Sequence, residues 1–363
     1  MGPGLYVHVP FCVRKCPYCA FFSRPAEPGA VAAWLAGLDR ELAGLPADFA
    51  PHSVFFGGGT PTALAEGDLA RLLELVHKRV NLGRVAEWTC EANPGTLTAG
   101  KTGCLKAGGV NRLSLGAQSF NDATLRRLGR IHTADEIRAG VELARTTGFD
   151  NLGLDVMYGL AGVPFESFCA DVEAALALEP EHISAYCLEI EAGTPFAHAA
   201  PAEELAAEAE EQRRQFDWAR KRLAEAGWAH YEISNFARPG RECRQNLLYW
   251  SGGDYFGVGP AAHSHWRGAR WGNTPELPEW KRAFTERLEP EAKARETLVM
   301  GLRRTAGWSR AKFRAVTGFD YDALRGAEIA RLAAAGLLVA EPGRLRLAED
   351  ALFVSDAVFA ELV

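Results

Sequence analysis

The 363-residue sequence predicts an α/β protein: an incomplete (β/α)6 barrel followed by a smaller α+β, winged-helix-like C-terminal domain. Three observations carry that reading. Short apolar runs alternate with longer stretches of helical periodicity, the pattern of βαβ units around a parallel sheet. About six such units precede residue 200, fewer than the eight that close a barrel, and no G-x-G-x-x-G follows the first run as a dinucleotide-binding fold requires. From Pro290 the texture changes to short helices and then "GLLVAEPGRLRLAED", two short strands about a Pro-Gly turn.

In chain order, strands are expected at 5–9, 53–56, 87–91, 112–115, 152–157 and 183–189, each a short apolar run. Helices between them are expected at 31–45, 69–80, 134–147 and 165–178. Residues 203–226 read as one charged amphipathic helix over the barrel, its apolar stripe being Leu205, Ala209, Phe216, Ala219 and Leu223. The following stretch, "HYEISNFARPGRECRQNLLYWSGGDYFGVGPAAHSHW", is dense in glycine, aromatic and polar residues, and reads as loops and short strands forming a functional surface. The chain thus divides into a partial barrel (1–200), a barrel-covering helix with a Gly/aromatic-rich region (201–289) and a C-terminal domain (290–363).

Composition, at 48% hydrophobic and 24% charged, is that of a globular protein with a packed core. No uninterrupted apolar run of about 18 residues and no signal-peptide pattern is present, so a cytoplasmic location with reduced thiols is expected. A net charge of −6 with interspersed signs excludes a nucleic-acid footprint, and the winged-helix-like segment 291–363 is near neutral, with 11 Lys/Arg against 10 Asp/Glu. Small molecules or proteins are the expected partners. Of the eight cysteines, Cys90, Cys104, Cys169 and Cys187 read as small buried hydrophobes.

Cys12, Cys16 and Cys19 are different, being spaced C-x3-C-x2-C directly after the first strand. Three thiolates on a short loop suit one face of a cubane iron–sulfur cluster, each taking one iron and leaving the fourth open. Zinc completed by a distant fourth donor is the alternative that this spacing allows. "GGGTP" (57–61), "EANPG" (91–95), "GAQSF" (116–120) and "LDVMYGL" (154–160) fall on the following strands or their C-terminal ends, the rim where such folds gather chemistry.

The cluster loop, with Tyr18 before its last cysteine, resembles that of radical S-adenosylmethionine (SAM) enzymes, and "GGGTP" resembles their SAM-amine motif. "YVHVPFCVRKCPYC", "FFGGGTPT", "NRLSLGAQSF", "LGRIH", "DVMYGL" and "YEISNFARPG" resemble the oxygen-independent coproporphyrinogen III oxidase group, and especially its heme-chaperone branch, over essentially the whole chain. The resemblance implies a radical-SAM barrel carrying a [4Fe-4S] cluster on Cys12, Cys16 and Cys19. It also implies SAM held by Tyr6, Tyr18, Gly58, Gly59, Thr60, Glu91, Gln118, Arg130 and Asp155. The glycines would let backbone come close, the carboxylates accept amine or hydroxyl protons, and the guanidinium pair with the methionyl carboxylate.

The function implied is binding heme and passing it to acceptor hemoproteins, membrane-associated ones included, with a cluster-linked homodimer as the assembly. The alternative is the oxidase, which cleaves SAM to a 5′-deoxyadenosyl radical to decarboxylate two propionates. Its cluster loop resembles C-x3-C-x2-C-x-C, where this chain has Phe21 in the final position, and its N-terminal segment is longer. A cluster-free interaction scaffold is a third reading. The chaperone branch resembles H-N-x-x-Y-W near the barrel's end; here Asn246, Tyr249 and Trp250 match but Gln245 stands where the histidine is expected. An amide is a poor axial ligand for heme iron. Cys243, His263 and His265 are the candidate replacements, the two histidines alternating so as to share a face on an extended segment.

Overall fold

The computed structural model describes residues 2–199 and 202–363. Its barrel is built from β1 (Gly4–Val9), α1 (Ala30–Ala43), β2 (Ser53–Gly58), α2 (Glu66–Arg79), β3 (Glu87–Ala92), α3 (Ala99–Ala107), β4 (Arg112–Gln118), α4 (Asp122–Arg127), α5 (Ala134–Thr146), β5 (Leu152–Tyr158), α6 (Phe165–Ala177) and β6 (His182–Cys187). The six strands pair in chain order, every pair parallel. Each predicted helix is present; α5, for example, starts at a capping box in which Thr133 and Glu136 satisfy each other's backbone N–H groups. The last barrel strand stops at Cys187, short of the expected 189, and the chain then turns through Gly193 (φ +81°) into α7 (Pro195–Ala199).

The expected single helix over 203–226 is two. α8 (Ala202–Leu205) ends because the next residues pair with the end of β5: Ala161 N–H donates to Leu205 O (3.0 Å) and Ala207 N–H to Gly159 O (2.7 Å). α9 (Ala209–Glu225) then begins, so Ala209 lies exposed at its start, while Phe216, Ala219 and Leu223 are buried as the stripe predicts.

The region expected as loops is more ordered than its composition suggests. It contains β7 (Ala229–Glu232), β8 (Asn235–Ala237), α10 (Arg244–Trp250), β9 (Tyr255–Val258), β10 (His263–Trp266), β11 (Ala269–Asn273) and β12 (Arg282–Arg287). β8 adds antiparallel to β6, and β9 returns to pair parallel with β1, matching Gly4 to Tyr255. The barrel therefore stays open, extended at both edges into one 12-stranded sheet. "RQNLLYW", read as loop, is the helix α10.

Alternation along the strands sets the character of the interior. Leu5, Val7, Val9, Leu113, Leu115, Leu152 and Leu154 pack outward and are fully buried. The interleaved residues face inward and are largely polar. Arg112 Nη1 lies 3.5 Å from Thr89 Oγ1, Ser114 Oγ 3.5 Å from Asp155 Oδ1, and Ser53 Oγ donates to Gln245 Oε1 at 2.6 Å. A closed eight-stranded barrel fills this space with branched aliphatic layers; here hydrogen-bonding groups line a ligand space.

The C-terminal unit runs α11 (Pro290–Leu302), β13 (Trp308–Ser309), α12 (Arg310–Thr317), α13 (Tyr321–Ala334), β14 (Leu338–Glu341), β15 (Arg344–Leu347) and α14 (Ser355–Leu362). The three strands form an antiparallel sheet, and the 342–343 Pro-Gly turn, with Gly343 at φ +85°, joins β14 to β15 as the sequence predicts. Trp308 seats directly over Gly301, where an added Cβ would lie 1.9 Å from the indole nitrogen. The Arg303 guanidinium, just past α11, covers the Trp250 ring of α10 at 4.5 Å. Among the described residues no helix is long and apolar enough to cross a membrane.

Candidate functional site

The cysteine loop is pinned at its base by backbone. Gly59 N–H donates to Val9 O (2.9 Å), Thr60 N–H to Phe11 O (2.7 Å), Arg24 N–H to Pro10 O (3.0 Å) and Cys12 N–H to Arg24 O (3.1 Å). The glycine run after β2 makes this docking possible. A Cβ on Gly59 would lie 2.6 Å from both Val9 O and Phe11 O, and one on Gly58 (φ +101°) would lie 2.3 Å from the His8 ring. The close approach these glycines permit in the chain itself is thus to the cluster loop and His8. His8, absent from the expected site, secures the arrangement: its Nδ1 lies 3.1 Å from Tyr6 Oη and its Nε2 2.8 Å from Phe22 O. The signal was its two-residue spacing from Tyr6, which puts both rings on one face of β1.

Cys12, Cys16 and Cys19 are free and half-buried. Cys12 Sγ lies 3.5 Å from Thr60 Oγ1. Arg130 Nη1 lies 3.5 Å from Cys16 Sγ and 3.4 Å from Tyr18 Oη, while its Nη2 donates to Gly116 O (2.7 Å) and its Nε is buried without a partner. Burial pushes the Cys19 thiol up, and the neighbouring sulfurs of Cys16 and Cys12 add to this. Among the described residues no group of three or more His, Cys, Asp and Glu side chains is drawn around a single ion. Mononuclear zinc needs four donors at about 2.0–2.3 Å from one centre, whereas a cubane spreads three thiolates over three irons. The donor set, the pinned loop and the guanidinium with its unmet nitrogen fit a cluster.

Two carboxylates face the same space. Glu91 accepts from Gly58 N–H at 3.2 Å. Its pKa is pushed up to about 8 by burial first and by the nearby Asp155 charge second, against the pull of the Gly58 hydrogen bond and of Arg112. Burial also raises the Asp155 carboxyl, against its hydrogen bond with Ser184. A carboxyl whose folded pKa is raised keeps its proton in the folded state after the unfolded chain has lost it, so stability falls as pH rises from about 4.5 to about 8. Denaturant midpoints of the ligand-free protein across that window should fall, and Glu91→Gln should flatten the profile; an unchanged slope in the variant removes Glu91 as its source. Gln118 ends β4 in the left-handed region (φ +69°) after a register shift, which turns its amide beside Gly116 and Arg130.

A cavity of about 880 Å3 opens beside the loop, at the upper end of the roughly 300–1,000 Å3 of ligand pockets. Tyr6, Gly58 and Glu91 form one wall with Phe21 and Phe22 of the cysteine loop; Asn246, Tyr249 and Trp250 of α10 form another. His263 and His265 of β10 and Lys293, Glu296, Thr297 and Met300 of α11 complete it. The expected SAM-binding residues therefore do not all share this wall, which holds Tyr6, Gly58 and Glu91. Gly59 and Thr60 carry the loop, Tyr18, Gln118 and Arg130 gather near Cys16, and Asp155 lies on the barrel interior beside Ser114.

Cys243 is a correction. It lies at the N-terminus of α10, outside the cavity lining, 1% exposed, with Sγ 3.7 Å from Glu87 Oε1, and burial pushes its thiol up to about 12. It is set as a buried thiol, away from the heme-sized space. Gln245 does line the cavity, but its Oε1 is taken by Ser53 and its Nε2 is buried without a partner.

The family model of the radical SAM superfamily matches residues 6–175, and that of the HemN C-terminal domain matches residues 288–354. The chain is 33% identical to the heme chaperone HemW of Bacillus subtilis, over 98% of this chain and 97% of that one. It is 38% identical to the HemW of Escherichia coli over 72% and 69%, and 34% identical to the mitochondrial radical S-adenosyl methionine domain-containing protein 1 of Mus musculus over 99% and 87%. In structure it superposes on the coproporphyrinogen III oxidase HemN of Escherichia coli with a TM-score of 0.86 at 22% identity, covering 99% of this chain and 90% of that one, a likeness of fold.

Proposed function

The chain belongs to the HemW heme-chaperone family within the radical SAM superfamily, and on that premise we propose that it binds heme in the cavity between the cysteine loop and α10 and hands it to acceptor hemoproteins. The observation that carries this reading is that one cavity of about 880 Å3 is walled both by the cysteine-loop side and by the aromatic side chains of α10.

When bound, a [4Fe-4S] cluster with exchangeable SAM supplies an iron site able to take the methionyl amine and carboxylate. Cys12, Cys16 and Cys19 would hold the cluster, and Arg130 stands against Cys16 with Nη1 3.5 Å from its sulfur. Tyr6, Tyr18, Gly58, Gly59, Thr60, Glu91, Gln118, Arg130 and Asp155 are assigned to SAM. Glu91 and Asp155 supply acceptor oxygens toward an ammonium, and Arg130 supplies unmet donor capacity toward a carboxylate. Asn246, Tyr249, Trp250 and His263 are assigned to heme: the aromatic faces stack on a flat macrocycle, and α11 of the third unit, 290–363, closes the pocket.

Phe21, 67% exposed at the cavity edge, stands where the oxidase loop resembles an additional cysteine, which favours carriage over decarboxylation. Phe21 and Val13, 56% exposed, are the apolar side chains that the cysteine loop would offer a second copy in the proposed homodimer, with the cytoplasm as the proposed location. Heme titration of the anaerobically reconstituted protein tests the function. A saturable Soret change, transfer to an apo-hemoprotein and no decarboxylation of coproporphyrinogen III are expected; decarboxylation without saturable binding would move the protein to the oxidase class.

A further inference from the structure

We propose that His265 is the side chain that ligates heme iron in this protein, replacing the imidazole that Gln245 cannot provide; the proposal rests on the heme-chaperone reading above. Gln245 is buried on α10, and its carbonyl oxygen already accepts from Ser53 at 2.6 Å. His265 lies on β10 and lines the same cavity.

Its two ring nitrogens are differentiated as an iron ligand requires. Nδ1 lies 3.2 Å from Gly253 O and 3.6 Å from Asp254 Oδ1, two acceptors that place the proton on Nδ1. Nε2 is then left with its lone pair, and it is buried with no partner in the protein. A metal-binding imidazole commonly donates its second N–H to a carbonyl or carboxylate, which fixes ring and tautomer before the metal arrives. A buried polar atom with no partner calls for an explanation, and a ligand met only when heme is present supplies one.

The charged groups facing the ring are Lys293, Asp254 and Glu296. Because Nε2 is covered in the ligand-free protein, a neighbour must turn aside for iron to reach it. His263 shares the strand face but is exposed, its ring resting against Phe284 at 5.7 Å.

The test titrates ferric heme into the cluster-reconstituted full chain, followed by Soret difference spectra and by electron paramagnetic resonance of the heme. Wild type should give a nitrogen-ligated signature. His265→Ala should lose that signature and weaken binding roughly tenfold or more, and millimolar imidazole should restore the signature. His263→Ala should keep the signature. Should His265→Ala fail to fold, nitrogen hyperfine coupling from 15N-histidine-labelled wild type reports histidine ligation directly, and its absence overturns the proposal. Retention of the signature in His265→Ala, or its loss in His263→Ala, also overturns it. Saturable binding with sulfur ligation or none sinks this inference alone, whereas no saturable binding by wild type sinks the heme-chaperone reading with it.

Discussion

Cys16→Ala should leave the chain folded while iron and acid-labile sulfide fall to background after anaerobic reconstitution, with loss of the visible absorbance of the cluster. Cys16 is half-buried on a loop, and its contacts are Arg130 Nη1 at 3.5 Å and a distant Gly129 O at 4.0 Å, so the alanine disturbs little of the core. Its removal leaves two thiolates where three iron corners need holding. Cys90 supplies the control. It is 0% exposed on the outward face of β3, burial pushes its thiol up, and Cys90→Ala should keep full iron and sulfide while losing some packing stability. Surviving absorbance in Cys16→Ala would show the ligand assignment to be wrong.

The second large effect is expected at Arg112, 2% exposed in the barrel interior. Its charge acts on Glu91, Asp155 and Glu87, the last of these 4% exposed and accepting from Arg244 N–H at 2.8 Å. A buried carboxylate deprived of its balancing cation is costly, and Arg112→Ala should lower unfolding stability by about 3–5 kcal/mol. The loss should grow with pH, because Glu91 and Asp155 shed their protons more reluctantly once the cation is gone. Arg112→Met keeps most of the volume and separates charge from packing. Denaturant midpoints at pH 5 and pH 8 check both points: a methionine variant as stable as wild type at pH 8 would assign the effect to lost volume.

The parallel strands were legible because outward positions such as Leu5, Val7 and Val9 must meet helices, and this leaves an apolar trace in a short window. The candidate cluster ligands stood out for a different reason: three thiols on one loop need only local spacing. What escaped depends on contacts between distant segments. The return of β9 to β1 joins Tyr255 to Gly4, and no local pattern encodes it. The division of 203–226 into two helices depends on hydrogen bonds to the end of β5, which interrupt a stripe that periodicity alone would continue. Cys243 misled by proximity, since its place at the start of α10 sends the thiol to Glu87 instead of the cavity. The glycines at 58 and 59 were expected to let backbone approach SAM; the close packing they permit within the chain is to His8 and the cysteine loop.

That return of β9 to β1 has a consequence for biosynthesis. β1 borders a strand made about 250 residues later, roughly 13–50 s behind it at the usual 5–20 residues per second. Through that interval one flank of Gly4–Val9 keeps its ladder groups unmatched, and the pocket lacks the walls from α10, β10 and α11. The open flank of β1 is therefore an aggregation-prone edge until β9 has been made, and metallocentre insertion before α11 is made would meet a half-built enclosure.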